Sequence, residues 1–165
     1  NKKMLGELGE FPPETMAIGR LDEDSEGLLL LTTNGKVSAE IAGRGVEKEY
    51  FVQVDGTIGE EDIIKIQDGV EIGINGERYL TRPCEARILS PVLILPSRET
   101  TIRDPRHGPT SWISITIAEG KFRQVKKMTA AVGFPTLRLV RGRIGNENLE
   151  NMAIGEVREV AKFRY

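Results

Sequence analysis

Three isoleucines spaced two apart, Ile113, Ile115 and Ile117, alternate with Ser114 and Thr116, and no other pattern in the chain restricts its fold as strongly. A period of two puts the isoleucines on one face of a β-strand and leaves the other face polar, as in an antiparallel sheet covered on one side. Residues 49–55 alternate in the same way: Tyr50, Val52 and Val54 face one side, Phe51 and Gln53 the other. Thr136–Ile144 reads as a third long strand, carrying arginines along its length. Shorter strands are expected over 28–32 before the Asn34-Gly35 turn, over 70–74 and 78–89 around Asn75-Gly76, and over 92–95 between two prolines.

Helices are expected over 36–42, with Val37 and Ile41 on one face, over 60–67, and over 123–132. Thr57-Ile58-Gly59-Glu60 has capping-box spacing ahead of the second helix, and Gly69 stops it. Residues 97–110, with Pro105, Gly108 and Pro109, read as a long basic loop. No fixed-period repeat or low-complexity linker divides the 165 residues, and the elements do not form a regular βαβ series. The fold class expected is therefore α+β, a mixed, mainly antiparallel sheet flanked by helices, as one domain or two small lobes sharing the sheet.

The aliphatic run 28–31 is far shorter than the roughly 20 residues that span a bilayer, and residues 1–6 hold no apolar signal region, so a cytoplasmic protein without membrane contact is expected. One cysteine, Cys84, and one histidine, His107, leave no intrachain disulfide and argue against a zinc site. The net charge is −2, yet seven Lys and Arg and no acid lie between Lys121 and Arg143, leaving −9 for the remainder. A segment of that kind can bind a polyanion even in an acidic chain.

Three segments could carry chemistry. In Asp22-Glu23-Asp24-Ser25-Glu26-Gly27, four carboxylates crowd the approach to the leucine run. Charge runs of this kind are usually solvated turns, and this one also mimics the start of a calcium loop. A calcium loop needs a bidentate Glu at its twelfth position, which here is Thr33. The remaining reading is a catalytic Asp held at the mouth of a strand, with Arg20 beside it. In the segment following Gly120, Val125, Met128 and Val132 fall on one helical face, and Arg123, Lys126 and Lys127 on the opposite one. No acid stands three or four residues after those cations to pair with them, so an external anion is expected to. Arg138, Arg141 and Arg143 are expected at the rim of a cleft, where phosphates could be met.

Together these segments resemble the RsuA-type pseudouridine synthases. Gly19-Arg20-Leu21-Asp22 followed by Ser25-Glu26-Gly27-Leu28-Leu29-Leu30-Leu31-Thr32 matches the family's catalytic motif, whose Asp falls on Asp22. Lys48-Glu49-Tyr50 matches its Lys-x-Tyr strand, whose Tyr packs against the target uracil. Glu119-Gly120 with Arg123-Gln124-Val125-Lys126-Lys127-Met128 and Ala131-Val132-Gly133 matches its third motif, whose basic partner of the Asp falls on Lys126. Leu137-Arg138-Leu139 and Arg143-Ile144-Gly145 extend the match over most of residues 17–145. Pro109-Thr110-Ser111-Trp112 and residues 129–139 look most like the branch of the family named large-subunit pseudouridine synthase E.

The resemblance implies an isomerase that turns a uridine of ribosomal RNA, that of the large subunit in this branch, into pseudouridine. It implies the synthase fold, with an RNA cleft between two lobes, acting as a monomer and needing no cofactor or metal. Asp22, Tyr50 and Lys126 would be catalytic, and Arg20, Arg123, Gln124, Lys127, Arg138, Arg141 and Arg143 would bind RNA. The alternatives within the resemblance are a small-subunit target or a non-catalytic RNA-binding module on the same fold. A single catalytic domain over 1–165 is expected, without the S4-type module of other relatives. One departure stands out: the Lys-Pro-containing strand that the family carries before its catalytic motif is not found, so the first strand of the fold is expected upstream of residue 1 or in a segment not represented in this sequence.

Overall fold

The computed structural model describes residues 4–43, 45–91, 95–98, 102 and 104–165. Three long strands, β4 (Lys48–Asp55), β8 (Thr110–Ile117) and β9 (Thr136–Ile144), form its centre. They are the three with the clearest sequence signatures. β4 lies between the other two, antiparallel to both, from Lys48 opposite Ile117 to Asp55 opposite Thr110 on one side and from Lys48 opposite Ile144 on the other. β7 (Glu85–Ile88) extends the sheet beyond β8, and β10 (Glu147–Asn148) extends it beyond β9. β2 (Glu26–Gly27) joins β9 as the parallel member, so the sheet is mixed and mainly antiparallel. β1 (Met16–Ala17) pairs with β3 (Leu31–Thr32), and β5 (Glu71–Ile74) with β6 (Glu77–Leu80), as separate antiparallel pairs.

Two apolar cores result. The larger holds Val52, Val54, Ile113, Ile115 and Ile117 from the sheet beneath helices α2 (Glu60–Asp68) and α3 (Gln124–Ala131), which contribute Ile63, Ile66, Val125 and Met128. The smaller joins Ile18, Leu28 and Leu30 to Ile41 of α1 (Gly35–Ala42) and Ile144 at the end of β9. Asn34 starts α1 by accepting from the N–H groups of Lys36 and Val37, as its residue type favours. Asn75 and Gly76 both take positive φ in the hairpin turn between β5 and β6. Among the described residues no helix is long and apolar enough to cross a membrane.

Several expectations need correction. The segment 28–32 is not one strand: Glu26–Gly27 lies on β9, the chain then crosses between sheets, and Leu31–Thr32 pairs with β1. A leucine run buried from both sides looks the same in sequence whether or not its hydrogen-bond partner changes midway. Thr57 does not cap α2; Gly59 does, without a side-chain bond, and Glu60, Glu61 and Asp62 complement the positive end of the helix instead. The span 78–89 is broken into β6 and β7 by Thr81-Arg82-Pro83-Cys84. Residues 92–94, where a strand was expected, lie outside the described residues. In the 97–110 loop, Arg98 lies 3.6 Å from Glu26, and Arg106 pairs with Asp104, so these charges have acceptors within the chain.

Candidate active site

The acidic turn stands where the two cores meet. Ile18 and Leu28 root it in the smaller core, while α3, which faces it, packs on the larger. Gly19 enters the turn with φ +71°, and the Ser25 N–H closes it on the Asp22 carbonyl at 2.9 Å. Gly27 leaves it with φ +109°, its backbone so close to β9 that a Cβ there would sit 2.3 Å from the Arg141 carbonyl oxygen. Only glycine permits both that conformation and that approach.

Asp22, Asp24 and Glu26 have basic partners, although Glu23 and Asp24 are exposed. Lys126 Nζ, on a side chain 12% exposed, lies 3.2 Å from Asp22 Oδ2 and 2.6 Å from Asp24 Oδ1. Arg123 stands behind it, 4.0 Å from Asp22 and 3.9 Å from Asp24. Glu26 turns the other way and takes a forked contact from Arg138, 2.9 Å for each nitrogen. The anion for the cationic face of α3 is thus supplied by this chain, about 100 residues upstream and beyond the reach of an i+4 argument. The Lys126 hydrogen bond holds the Asp24 carboxyl below its ordinary value.

Tyr50 reaches the site from β4, opposite Arg141 of β9 and just past a bulge between Glu49 and Tyr50 that turns the side chain at that point. Burial pushes its phenol up, the Arg141 guanidinium beside it pulls the other way, and the Asp22 carboxylate adds to the rise. Both groups are therefore within electrostatic reach of the phenol. Asp22, Tyr50 and Lys126, which lie far apart in sequence, come together.

The residues expected to bind RNA separate into two groups. Arg20 is exposed, Arg123 is 43% exposed, and Lys127 lies over the Phe122 ring with its amine donating to the Gly73 carbonyl at 2.6 Å. Arg143 is partly covered, bonded to the Gly145 carbonyl at 2.8 Å and near Glu47 and Glu49. Gln124, Arg138 and Arg141 are buried. Gln124 donates to Glu119 at 2.7 Å and accepts from the Lys121 N–H at 3.0 Å, tying the start of α3 to the end of β8. Arg138 also donates to the Pro96 carbonyl at 2.7 Å. Most of their polar groups face acceptors inside the chain rather than solvent.

A model of the RNA pseudouridylate synthase family matches residues 1–131. The chain belongs to that family. The ribosomal large subunit pseudouridine synthase E of Xanthomonas axonopodis pv. citri is 42% identical over 92% of this chain and 78% of its own. The protein of the same name from Vibrio parahaemolyticus is 40% identical over 93% of this chain and 64% of its own. A crystal structure of a pseudouridylate synthase aligns with a TM-score of 0.68 at 28% identity, covering 87% of this chain and 55% of that one. This synthase-family chain therefore has the α+β fold expected of it.

Two parts of the synthase site escaped the sequence reading. Asp24 shares Lys126 with Asp22, and Glu119 is a buried carboxylate that collects the Tyr79 hydroxyl, the Arg82 N–H at 3.0 Å and the Gln124 amide. The Glu119 signal was its place in the third motif; what it bonds is set by Tyr79 and Arg82, on the other side of the fold.

Proposed function

We propose that this protein isomerises a uridine of large-subunit ribosomal RNA to pseudouridine, with Asp22 as the nucleophile. The observation that carries the reading is the convergence on Asp22 of Lys126, 3.2 Å away on α3, and Tyr50 on β4, in a chain of this family. The large-subunit target rests on relatives at 40–42% identity that are named ribosomal large subunit pseudouridine synthase E.

The reaction adds and removes nothing overall: the N1–C1′ bond breaks, the uracil turns, a C5–C1′ bond forms, the C5 proton leaves and N1 takes one up. No step requires a cofactor or metal. Asp22 attacks the sugar C1′ or the base C6. Lys126 and Arg123 fix the carboxylate from one side, so its free lone pairs face outward. Tyr50, whose phenol burial pushes up, stacks on the uracil and can relay the C5 proton only by passing its own phenolic proton on to solvent. A base out of its stack costs a few kcal/mol, and phosphate contacts from Arg20, Arg123, Lys127 and Arg143 offset this. RNA would lie across the seam between the two cores. Gln124 and Arg138 act from behind, fixing the start of α3 and the end of the turn.

The test is chemical mapping of pseudouridine in large- and small-subunit ribosomal RNA incubated with the protein or with Asp22→Asn. A new pseudouridine in the large-subunit RNA, absent with Asp22→Asn, is expected. Turnover by Asp22→Asn would remove Asp22 from its role, product in the small-subunit RNA alone would move the target, and binding without product would leave an RNA-binding module.

A further inference from the structure

Arg141 is engaged with the catalytic turn through its backbone and its side chain at once. Its carbonyl accepts from the Leu28 N–H at 2.8 Å, and Gly27 is its register partner in the parallel pairing of β2 with β9. Its Nε donates to the Leu28 carbonyl at 2.8 Å and its Nη1 to the Arg20 carbonyl at 3.2 Å. One guanidinium therefore ties together the two ends of the turn that presents Asp22. On the other side of β9 its register partner is Tyr50. At 4% exposure, with two carbonyls bonded, this guanidinium cannot meet the RNA backbone as a solvent-facing cation would. Its Nη2 is buried with no hydrogen-bond acceptor among the described residues, so the side chain is held here even though one donor goes unmatched.

We propose that Arg141 is the positioning residue of this site: its planar fork sets the spacing between the Arg20 and Leu28 carbonyls, and so aims Asp22 at the nucleotide that rests on Tyr50. Lysine cannot replace it, because an ammonium is a point donor on a flexible stem and holds one carbonyl or the other. The observed contacts explain why an arginine stands in the middle of a strand that is otherwise core at Leu139, Val140 and Ile144. They also assign Arg141 a different task from Arg123, which reaches the same carboxylates from a half-exposed position.

The inference rests on the synthase reading for its rate measurement but not for its structural one. Arg141→Lys and Arg141→Gln would be compared with the parent in thermal melting, in amide hydrogen exchange, in a 13Cζ-tyrosine NMR titration with Tyr50 assigned through Tyr50→Phe, and in single-turnover pseudouridine formation. Faster exchange of the Leu28 amide and an upward move of the Tyr50 titration are expected in Arg141→Gln, because the cation that counters burial and the Asp22 charge is gone. The single-turnover rate should fall about 100-fold in both variants while RNA affinity changes by less than about threefold. Arg141→Lys, which keeps the charge and so the fold, is the variant that decides the matter if Arg141→Gln melts. An affinity loss that matches the rate loss, with Leu28 exchange and the Tyr50 titration unchanged, would overturn the proposal and make Arg141 an RNA contact. If the parent forms no pseudouridine on any RNA, the synthase reading falls, while exchange and titration still decide whether Arg141 holds the turn.

Discussion

Replacing Gly27 by alanine adds one methyl group and should disable the site out of proportion to its size. The new Cβ would fall 2.3 Å from the Arg141 carbonyl oxygen, 2.6 Å from its nitrogen and 2.9 Å from its carbonyl carbon. All three are backbone atoms in the middle of β9, and none can rotate away. Holding an L-residue at φ +109° costs on the order of 1–3 kcal/mol by itself. The contact is relieved when the turn moves off β9, which breaks the Leu28 N–H bond to the Arg141 carbonyl, a further ~1 kcal/mol. The total is about 2–4 kcal/mol, or roughly 4–16 °C of melting temperature if the whole chain feels it. Ile18 and Leu30 remain anchored in the smaller core on either side, so the displacement should stay local and turnover should fall further than stability. Thermal melting and single-turnover pseudouridine formation would be measured for Gly27→Ala beside Gly73→Ala, whose added Cβ meets nothing within 4 Å. If Gly27→Ala melts and turns over like Gly73→Ala, the parallel pairing of β2 with β9 is not as described.

Lys126→Met should reduce turnover far more than RNA affinity, because the amine is 12% exposed and engaged with Asp22 and Asp24; a pure affinity loss, read by filter binding, would make it a phosphate contact. Asp24 titrates below 3.8 in the folded chain because of its Lys126 bond, so its contribution to stability is present above that pH and lost as the pH falls through the lowered value. Asp24→Asn should lack that acid-dependent loss in melts across this range, and it should bind RNA more tightly, since Arg123 loses a competing anion. Burial alone would raise the Glu119 carboxyl, but hydrogen bonds from Tyr79, Arg82 and Gln124 prevail and hold it below 4.5. Glu119→Gln should therefore lose about 1–3 kcal/mol at neutral pH, and in urea melts the gap to the parent should narrow as the pH falls through the lowered value.

The sequence made the centre of the fold plain and its seams obscure. Ile113, Ile115 and Ile117 on β8, and Val52 and Val54 on β4, alternate as strand residues do and all five are buried as expected, but Ser114 and Thr116 on the other face of β8 are buried too, so that strand is covered from both sides. Val125 and Met128 likewise marked the inner face of α3. Periodicity carries no information about partners, however. It could not tell that the leucine run changes sheets between Gly27 and Leu31, or that Arg138 would find Glu26 and Arg141 the Leu28 and Arg20 carbonyls. That Asp22, Tyr50 and Lys126 would lie near one another was legible through three motifs in order, because the family resemblance supplies the long-range pairing that local pattern lacks. The arginines of β9 were legible as charges and not as contacts, since a buried cation and a surface cation look alike until the acceptor is known.

The ion cluster at the site joins Asp22 and Asp24, near the start of the chain, to Arg123 and Lys126 at the beginning of α3, and the turn that carries the acids is also held by Arg138 and Arg141, further on still. A chain leaving the ribosome would thus expose its acids long before either their cations or their fastening had been made. On the proposed reading the aiming of Asp22 is a property of the finished molecule, complete when β9 docks, and a fragment ending before β9 would keep Asp22 without the contacts that hold its turn.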